Sequence, residues 1–195
     1  MLPVTPAILQ RVAQDTPSFA LPEPCILVAG ELTLRPWIAE DVATLEFIAD
    51  DPQLATWNPL RKPDDTIAAW VLRRGIWDDH MSWAVVTASD DLAGSVSIFQ
   101  FDNASANAQI GYWTAPDHRG QGIAGRAVQR AIDAAFEMLP LERMSLFHAV
   151  SNAASCRVAD KAGFTLEGTT RKSWRYPDGQ LHDEHVHGRL RSDRD

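Results

Sequence analysis

The stretch Arg119-Gly120-Gln121-Gly122-Ile123-Ala124 most constrains what this chain can fold into. It follows a strand-like run, Gln109 to Thr114, and opens a helix ended by Pro140. The apolar positions of that helix, Ile123, Ala127, Val128, Ala131, Ile132, Ala135, Phe136 and Leu139, recur with the 3.6-residue period of one buried face. Glycine lets a backbone come close to a ligand, and a helix N-terminus aims unpaired N–H groups and the positive end of its dipole at whatever sits there. A strand, a glycine loop and a helix in this order form a site for phosphate, best matched by the pyrophosphate of a nucleotide-containing cofactor.

The rest of the chain supports one domain around that unit. Its 195 residues are 45% hydrophobic and 23% charged, enough for a sizeable core. Residues 1–24 hold five prolines around a short helical possibility, Ala7 to Gln14, and read as an N-terminal arm; 25–195 read as the domain. From Leu32 the expected order is β-α-α-β-β-β-α-β-α-β-β. The strands are Leu32 to Arg35, Ser82 to Thr87, Gly94 to Phe101, Gln109 to Thr114, Met144 to Val150, Phe164 to Thr169 and Leu181 to Leu190. The other helices are Glu40 to Ala49, one starting near Asp64-Asp65, and one capped by Ser151 and stopped by Gly163. This is an α/β layout in which an antiparallel meander feeds a βαβ unit.

Several function classes fall away. A net charge of -8 opposes binding to nucleic acid. Cys25 and Cys156 make no disulfide framework, and no stretch has the length of a membrane span. The first twenty residues lack the basic start and apolar run of a signal peptide. The expected setting is therefore the cytoplasm.

Two cofactor readings compete at the loop. Gly120, Gly122 and Gly125 satisfy the dinucleotide pattern G-x-G-x-x-G, which would make the protein a nucleotide-binding oxidoreductase. That fingerprint normally opens the first of several βαβ units, and here about seventy residues remain. The acidic residue expected at the end of the next strand is missing: that strand runs into His148-Ala149-Val150-Ser151-Asn152. The other pattern, Gln/Arg-x-x-Gly-x-Gly/Ala, is met by Arg119, Gly122 and Ala124.

On this second pattern the chain resembles the GNAT superfamily of acyl-CoA-dependent N-acetyltransferases, and within it the ribosomal-protein alanine N-acetyltransferase branch. Further signals stand in the same order over residues 31–190: Leu32-Thr33-Leu34-Arg35-Pro36 with Asp41, Gly94, Gly111-Tyr112-Trp113, Asn152-Ala153-Ala154-Ser155, Lys161-Ala162-Gly163-Phe164, Glu167-Gly168 with Arg171, and Asp178-Gly179 with Asp183.

The resemblance implies a mixed, mostly antiparallel sheet of seven strands flanked by about four helices, and acetyl-CoA as co-substrate. It assigns cofactor binding to Tyr112, Trp113 and Thr114 on a strand splayed from its neighbour, and to Arg119, Gly120, Gln121, Gly122, Ile123, Ala124 and Gly125 around the pyrophosphate. Asn152 would hold the pantetheine arm, and Ser155 would protonate the departing thiolate. Candidate bases for the acceptor amine are Asp183, Glu184, His185, His148 and ordered water. On a strand Asp183, His185 and His187 face one way, as zinc ligands would, but family members need no metal and none is expected. His187 stands where the family usually carries an aromatic residue. Trp57, Trp77 and Trp83 lie near the helices that wall the acceptor site, where most tryptophans are core.

The implied activity is acetyl transfer to a primary amine, either a protein N-terminal α-amine or a small molecule such as a polyamine or an antibiotic. A catalytically silent acyl-CoA-binding module of the same fold is the alternative reading. A homodimer is a further expectation of the resemblance.

Overall fold

A computed structural model describes residues 20–60 and 65–194. The helical possibility at Ala7 to Gln14, most of the N-terminal arm and Asp64 lie outside the described residues. The strands are β1 (Leu27–Ala29), β2 (Leu32–Arg35), β3 (His80–Val86), β4 (Leu92–Asp102), β5 (Asn107–Thr114), β6 (Arg143–Ala149), β7 (Thr165–Arg175) and β8 (Leu181–Leu190). The helices are α1 (Asp41–Ile48), α2 (Pro52–Trp57), α3 (Ile67–Arg74), α4 (Ile123–Met138) and α5 (Ala153–Lys161). The strands form one sheet in the order β1-β2-β3-β4-β5-β6-β8-β7. Every neighbouring pair is antiparallel except β5 with β6, the pair joined by α4.

The sheet therefore has eight strands, not the seven expected, and five α-helices, not about four, among the described residues. The added strand β1 pairs Leu27 with Leu34 and Ala29 with Leu32 across a tight turn. At three residues it is too short to show alternation. The added helix α2 carries a start signal, Asp51 followed by Pro52 at its first turn. Its six residues were too few to display a period.

At β3 the sheet is buried on both faces. Trp83 and Val85 join one core with α4, whereas Ala84 and Val86 join a second with α1 and α3. Along α4 the apolar stripe is buried from Ile123 to Phe136, so that face is the largest single contribution to the first core. Arg35 links the layers at the start of the domain. Its guanidinium donates to both carboxylate oxygens of buried Asp41 at 2.8 and 2.7 Å, and Asp41 also accepts the Ile38 N–H at 3.0 Å. That bidentate pair turns the chain from β2 into α1 and gives the Arg35-Pro36…Asp41 signal its physical meaning.

Three boundaries moved for local reasons. α3 starts at Ile67, where the Thr66 hydroxyl accepts the Ala69 N–H at 3.1 Å, and Asp65 pairs with Arg73 instead of capping. α5 is capped by Asn152, not Ser151: its side chain accepts the Ser155 N–H at 3.2 Å. β7 runs on to Arg175 because it pairs with β8 in a long hairpin closed by Tyr176 to Gln180.

Gly94 sits where β4 and β5 come closest. A Cβ there would lie 2.4 Å from the Trp113 carbonyl oxygen, an impossible approach unless the strands part. Gly94→Ala is expected to cost about 1–3 kcal/mol and to lower the melting temperature by several degrees in a thermal melt. An unchanged melting temperature would show that the strands separate there freely.

Candidate functional site

The functional cleft begins where strand pairing stops. β5 is paired with β4 along its length, from Gln109 with Phe99 to Thr114 with Gly94. With β6 it pairs only at Asn107–Arg143, Ala108–Met144 and Gln109–Ser145. Beyond Gln109 the two parallel strands diverge and leave a cleft of about 500 Å³ between Ile110 to Thr114 and Leu146 to His148. Backbone groups on that side of β5 have left the ladder, so they are available to an extended ligand.

The glycine loop lies at the end of this opening. Gly120 and Gly122 have φ of 76° and 72°, the left-handed region that favours glycine, and Gly122 is the N-cap of α4. A Cβ at Gly122 would meet nothing within 4 Å, so the protein needs glycine there for backbone conformation and not for internal space. The result is the N-terminus of a 16-residue helix, open toward the cleft, with Gly120, Gly122, Ile123, Ala124 and Gly125 in the cleft lining. This cradle fits a pyrophosphate. Gln121 turns away from it, its amide donating to the Asp117 carbonyl at 3.1 Å.

Arg119 also lines the cleft, but its guanidinium is engaged by Asp51 in a two-armed pair, one arm 3.1 Å long. Asp51 additionally caps α2, accepting the N–H groups of Gln53 and Leu54 at 3.1 and 2.9 Å. The hydrogen bond from Arg119, above all, holds the Asp51 carboxyl below the usual carboxylate range. One carboxylate thus ties the loop to α2, whose Gln53, Leu54 and Trp57 wall the far side of the cleft. Sequence reasoning passed over Asp51, although Asp before Pro is a helix-start signal.

α5 brings Asn152 and Ser155 to the same cleft. Asn152 spends its side-chain oxygen on the cap described above. Ser155 Oγ lies 2.7 Å from the Tyr112 hydroxyl, joining the two halves of the site across the gap between β5 and α5. Burial, mainly, pushes the Tyr112 phenol up to about 12. It stays protonated and can donate to Ser155, leaving the serine proton free to move outward. Trp113 faces the other way, into the core beside Trp37, and Thr114 lines the cleft.

The candidate bases separate. His148 lines the cleft and is buried; its Nδ1 donates to the Ala149 carbonyl at 2.8 Å, and its Nε2 lies 3.1 Å from His187 Nε2. Desolvation, first of all, lowers its pKa below the ordinary 6.5, so it is a neutral imidazole at pH 7. Glu184 is buried behind the wall, accepting from Ser173 and from the Tyr176 hydroxyl at 2.8 and 3.1 Å. Asp183 is exposed and accepts the Lys172 N–H at 2.8 Å, outside the cleft lining. His185 does not line the cleft either; it stacks edge-on to His148.

Of the tryptophans placed near the acceptor wall, Trp57 lines the cleft, edge-on to Tyr176 at 5.6 Å. Trp77 and Trp83 pack on each other in the core. Tyr176 was not anticipated; the Pro177-Asp178-Gly179 turn that follows it was the available signal.

Comparison with known proteins shows the family and the fold. The family described as acetyltransferase (GNAT) domain matches residues 31–165, more than half of the chain. YdaF of Bacillus subtilis (strain 168), which carries the provisional name ribosomal N-acetyltransferase, is 34% identical over 159 residues, 81% of this chain and 78% of YdaF. YjcK of the same organism, provisionally named an N-acetyltransferase, is 42% identical over 98 residues, so this chain spans only about half of it, 54%. The ribosomal-protein-S5-alanine acetyltransferase of Vibrio fischeri has the same fold at a TM-score of 0.75, with 23% identity, 87% of this chain and 98% of that one covered. Among the described residues no helix is long and apolar enough to cross a membrane.

The Asp51–Arg119 pair carries a pH signature. Because folding lowers the Asp51 pKa below its ordinary 3.8, the pair stabilises fully above that value and its contribution is lost as pH falls through the folded pKa. Asp51→Asn keeps a capping oxygen and removes the charge. Urea melts of the two proteins should differ at pH 6 and converge as the pH falls below 3.8; a difference independent of pH would assign Asp51 to capping alone.

Proposed function

The chain belongs to the GNAT acetyltransferases and is an acetyl-CoA-dependent N-acetyltransferase; from that premise we propose that residues 25–195 act as one domain that acetylates the N-terminal α-amine of a polypeptide by direct transfer. The observation that carries this is the cleft itself. The unpaired side of β5, the cradle at Gly120 to Gly125, and the Ser155–Tyr112 pair all open onto one space.

Acetyl-CoA supplies an acetyl thioester, and the residues of this chain supply the rest. The α4 N-terminus and its glycines hold the pyrophosphate, the free edge of β5 from Tyr112 to Thr114 aligns the arm, and Asn152 lies beside it on α5. His148 takes the proton of the acceptor ammonium at Nε2, which with Nδ1–H committed to Ala149 holds a lone pair and exchanges its hydrogen bond from His187 for one from the substrate. As the new N–C bond forms and the C–S bond breaks, Ser155 gives its proton to the departing sulfur; Tyr112 passes a proton to Ser155 and regains one from solvent, to which His148 releases the proton it accepted. No cysteine is needed as a covalent carrier in this scheme.

The lining also bears on the acceptor. Among the described residues that line the cleft there is no carboxylate, and Arg157 and Lys161 contribute positive charge, while that of Arg119 is met by Asp51. A polyamine would bring several cations to a wall that repels them. A peptide N-terminus brings one amine and a row of amides, which Gln53, Asn58, Trp57 and Tyr176 can hold by hydrogen bonds and apolar contact. In a thiol-release assay, short peptides with a free amino terminus should turn over with far higher kcat/KM than spermidine. The reverse order would overturn the acceptor assignment.

Two variants test the proton route. Ser155→Ala should lower kcat by about 100-fold or more while acetyl-CoA affinity by calorimetry stays near that of the wild type; unchanged turnover would remove Ser155 from the route. The rising limb of kcat/KM against pH should lie below 6.5, the ordinary histidine value, because His148 is depressed by burial. His148→Gln should abolish that limb, and a limb that persists would assign the base elsewhere.

A further inference from the structure

We propose that His148, Cys156, His185 and His187 form a binding site for a divalent d-block cation, with zinc the best match. The acetyl transfer derived above uses no metal, and the site is a separate property of this chain. One ligand atom from each of the four residues can be chosen so that all lie within 4.8 Å of one another. Zinc bonds of about 2.0–2.1 Å to imidazole and 2.3 Å to thiolate put tetrahedral ligand atoms about 3.3–3.6 Å apart, so closing on the ion asks for movements of about an ångström at most.

The sheet creates the cluster. β6 and β8 pair with His148 directly opposite His185 and Leu146 opposite His187. Residues opposite one another, and residues two apart on one strand, share a face, so the three imidazoles converge on one side of the β6–β8 ribbon. The helix α5 then brings Cys156, a free thiol, to the same side. Asp183, which alternation alone would place with His185 and His187, instead reaches the Lys172 amide on β7.

Two features show a pocket arranged for a ligand and not merely filled. His187 is completely buried, yet its Nδ1 has no hydrogen-bond partner, and the Nδ1 of His185 is likewise buried and unpartnered. Bonding to a cation at the His185 Nδ1 would recover the free energy that this orphaned nitrogen costs, and the bare Nδ1 of His187 can take up the proton that ligation displaces from its Nε2. His148 is held as a ligand normally is: its Nδ1 donates to a backbone carbonyl, which fixes the ring and leaves Nε2 with a lone pair. Three imidazoles and a thiolate offer zinc the four nitrogen and sulfur ligands that its tetrahedral geometry takes.

Proton balance is simple. The proton between the Nε2 atoms of His148 and His187 can shift to the unpartnered Nδ1 of His187, and Cys156 loses its thiol proton to solvent as the S–Zn bond forms. One proton is released for each cation bound.

The test uses the purified full chain, stripped of metal with a chelator and reduced. Titration with Co²⁺ should saturate at one ion per chain and give the strong visible absorption of a tetrahedral centre together with a thiolate-to-metal charge-transfer band. Zn²⁺ should displace it. Cys156→Ser should remove the charge-transfer band and weaken Zn²⁺ binding on the order of 100-fold, His185→Gln should also weaken it, and Cys25→Ser should change neither. Absence of a saturable one-to-one cobalt complex, or a spectrum untouched by Cys156→Ser, would overturn the site. A consequence for turnover rests on the reading of His148 as base: bound zinc occupies its lone pair and should inhibit the wild type but not Cys156→Ser. Zinc bound with the full spectrum and no inhibition would refute that role of His148 and leave the metal site standing.

Discussion

The divergence of β5 from β6 is the constraint on which the rest of this structure depends. Two parallel strands that pair for three residues and then part leave a row of backbone groups without a ladder, inside a sheet that is otherwise continuous. Such groups are expensive to leave unsatisfied when buried, so the gap must stay open to solvent or be filled by something with amides of its own. Everything else is arranged around that opening. α4 fills the crossover between the two strands, and its N-terminus comes out at the wide end. Gly94 lets β4 follow β5 closely there, and Asp51 ties the loop to α2 through Arg119.

Proton traffic in the cleft follows from burial on its two sides. The Tyr112 phenol, held protonated by desolvation, leans on Ser155 from the β5 side. His148, held neutral by the same cause, faces the cleft from the end of β6. Desolvation thus keeps a phenol protonated on one side and an imidazole neutral on the other, which in the proposed transfer is the division of labour between acid and base. The same burial leaves His187 with an orphaned nitrogen, which is why the end of β6 offers more chemistry than acetyl transfer consumes.

Much of this was legible in the sequence where local rules act alone. The α4 stripe, its glycine start and its proline stop fall where periodicity places them, because one buried face and one backbone conformation decide that segment. β8 was read to its observed ends, Leu181 and Leu190. Short elements were not legible: three residues of β1 and six of α2 are below the length at which a period shows, and tertiary pairing defines them. Residues that line the cleft were readable when a motif carried them, as with Asn152, Ser155 and Gly122. Those supplied by distant pairing were hidden: Tyr176 arrives through the β7–β8 hairpin, and Cys156 meets three histidines only because β6 and β8 lie side by side. Arg119 was assigned to a phosphate from its place in the loop, and its partner in the structure, Asp51, stands 68 residues earlier.

The central claim is that the parted edge of β5 and the N-terminus of α4 together hold acetyl-CoA. Residue-resolved amide hydrogen exchange, with and without saturating acetyl-CoA, tests it most directly. The account predicts slowed exchange within Ile110 to Thr114 and Gly120 to Gly125, with the distant turn at Thr87 to Asp91 unaffected. Saturable binding that leaves both of the first two segments exchanging as fast as before would contradict it.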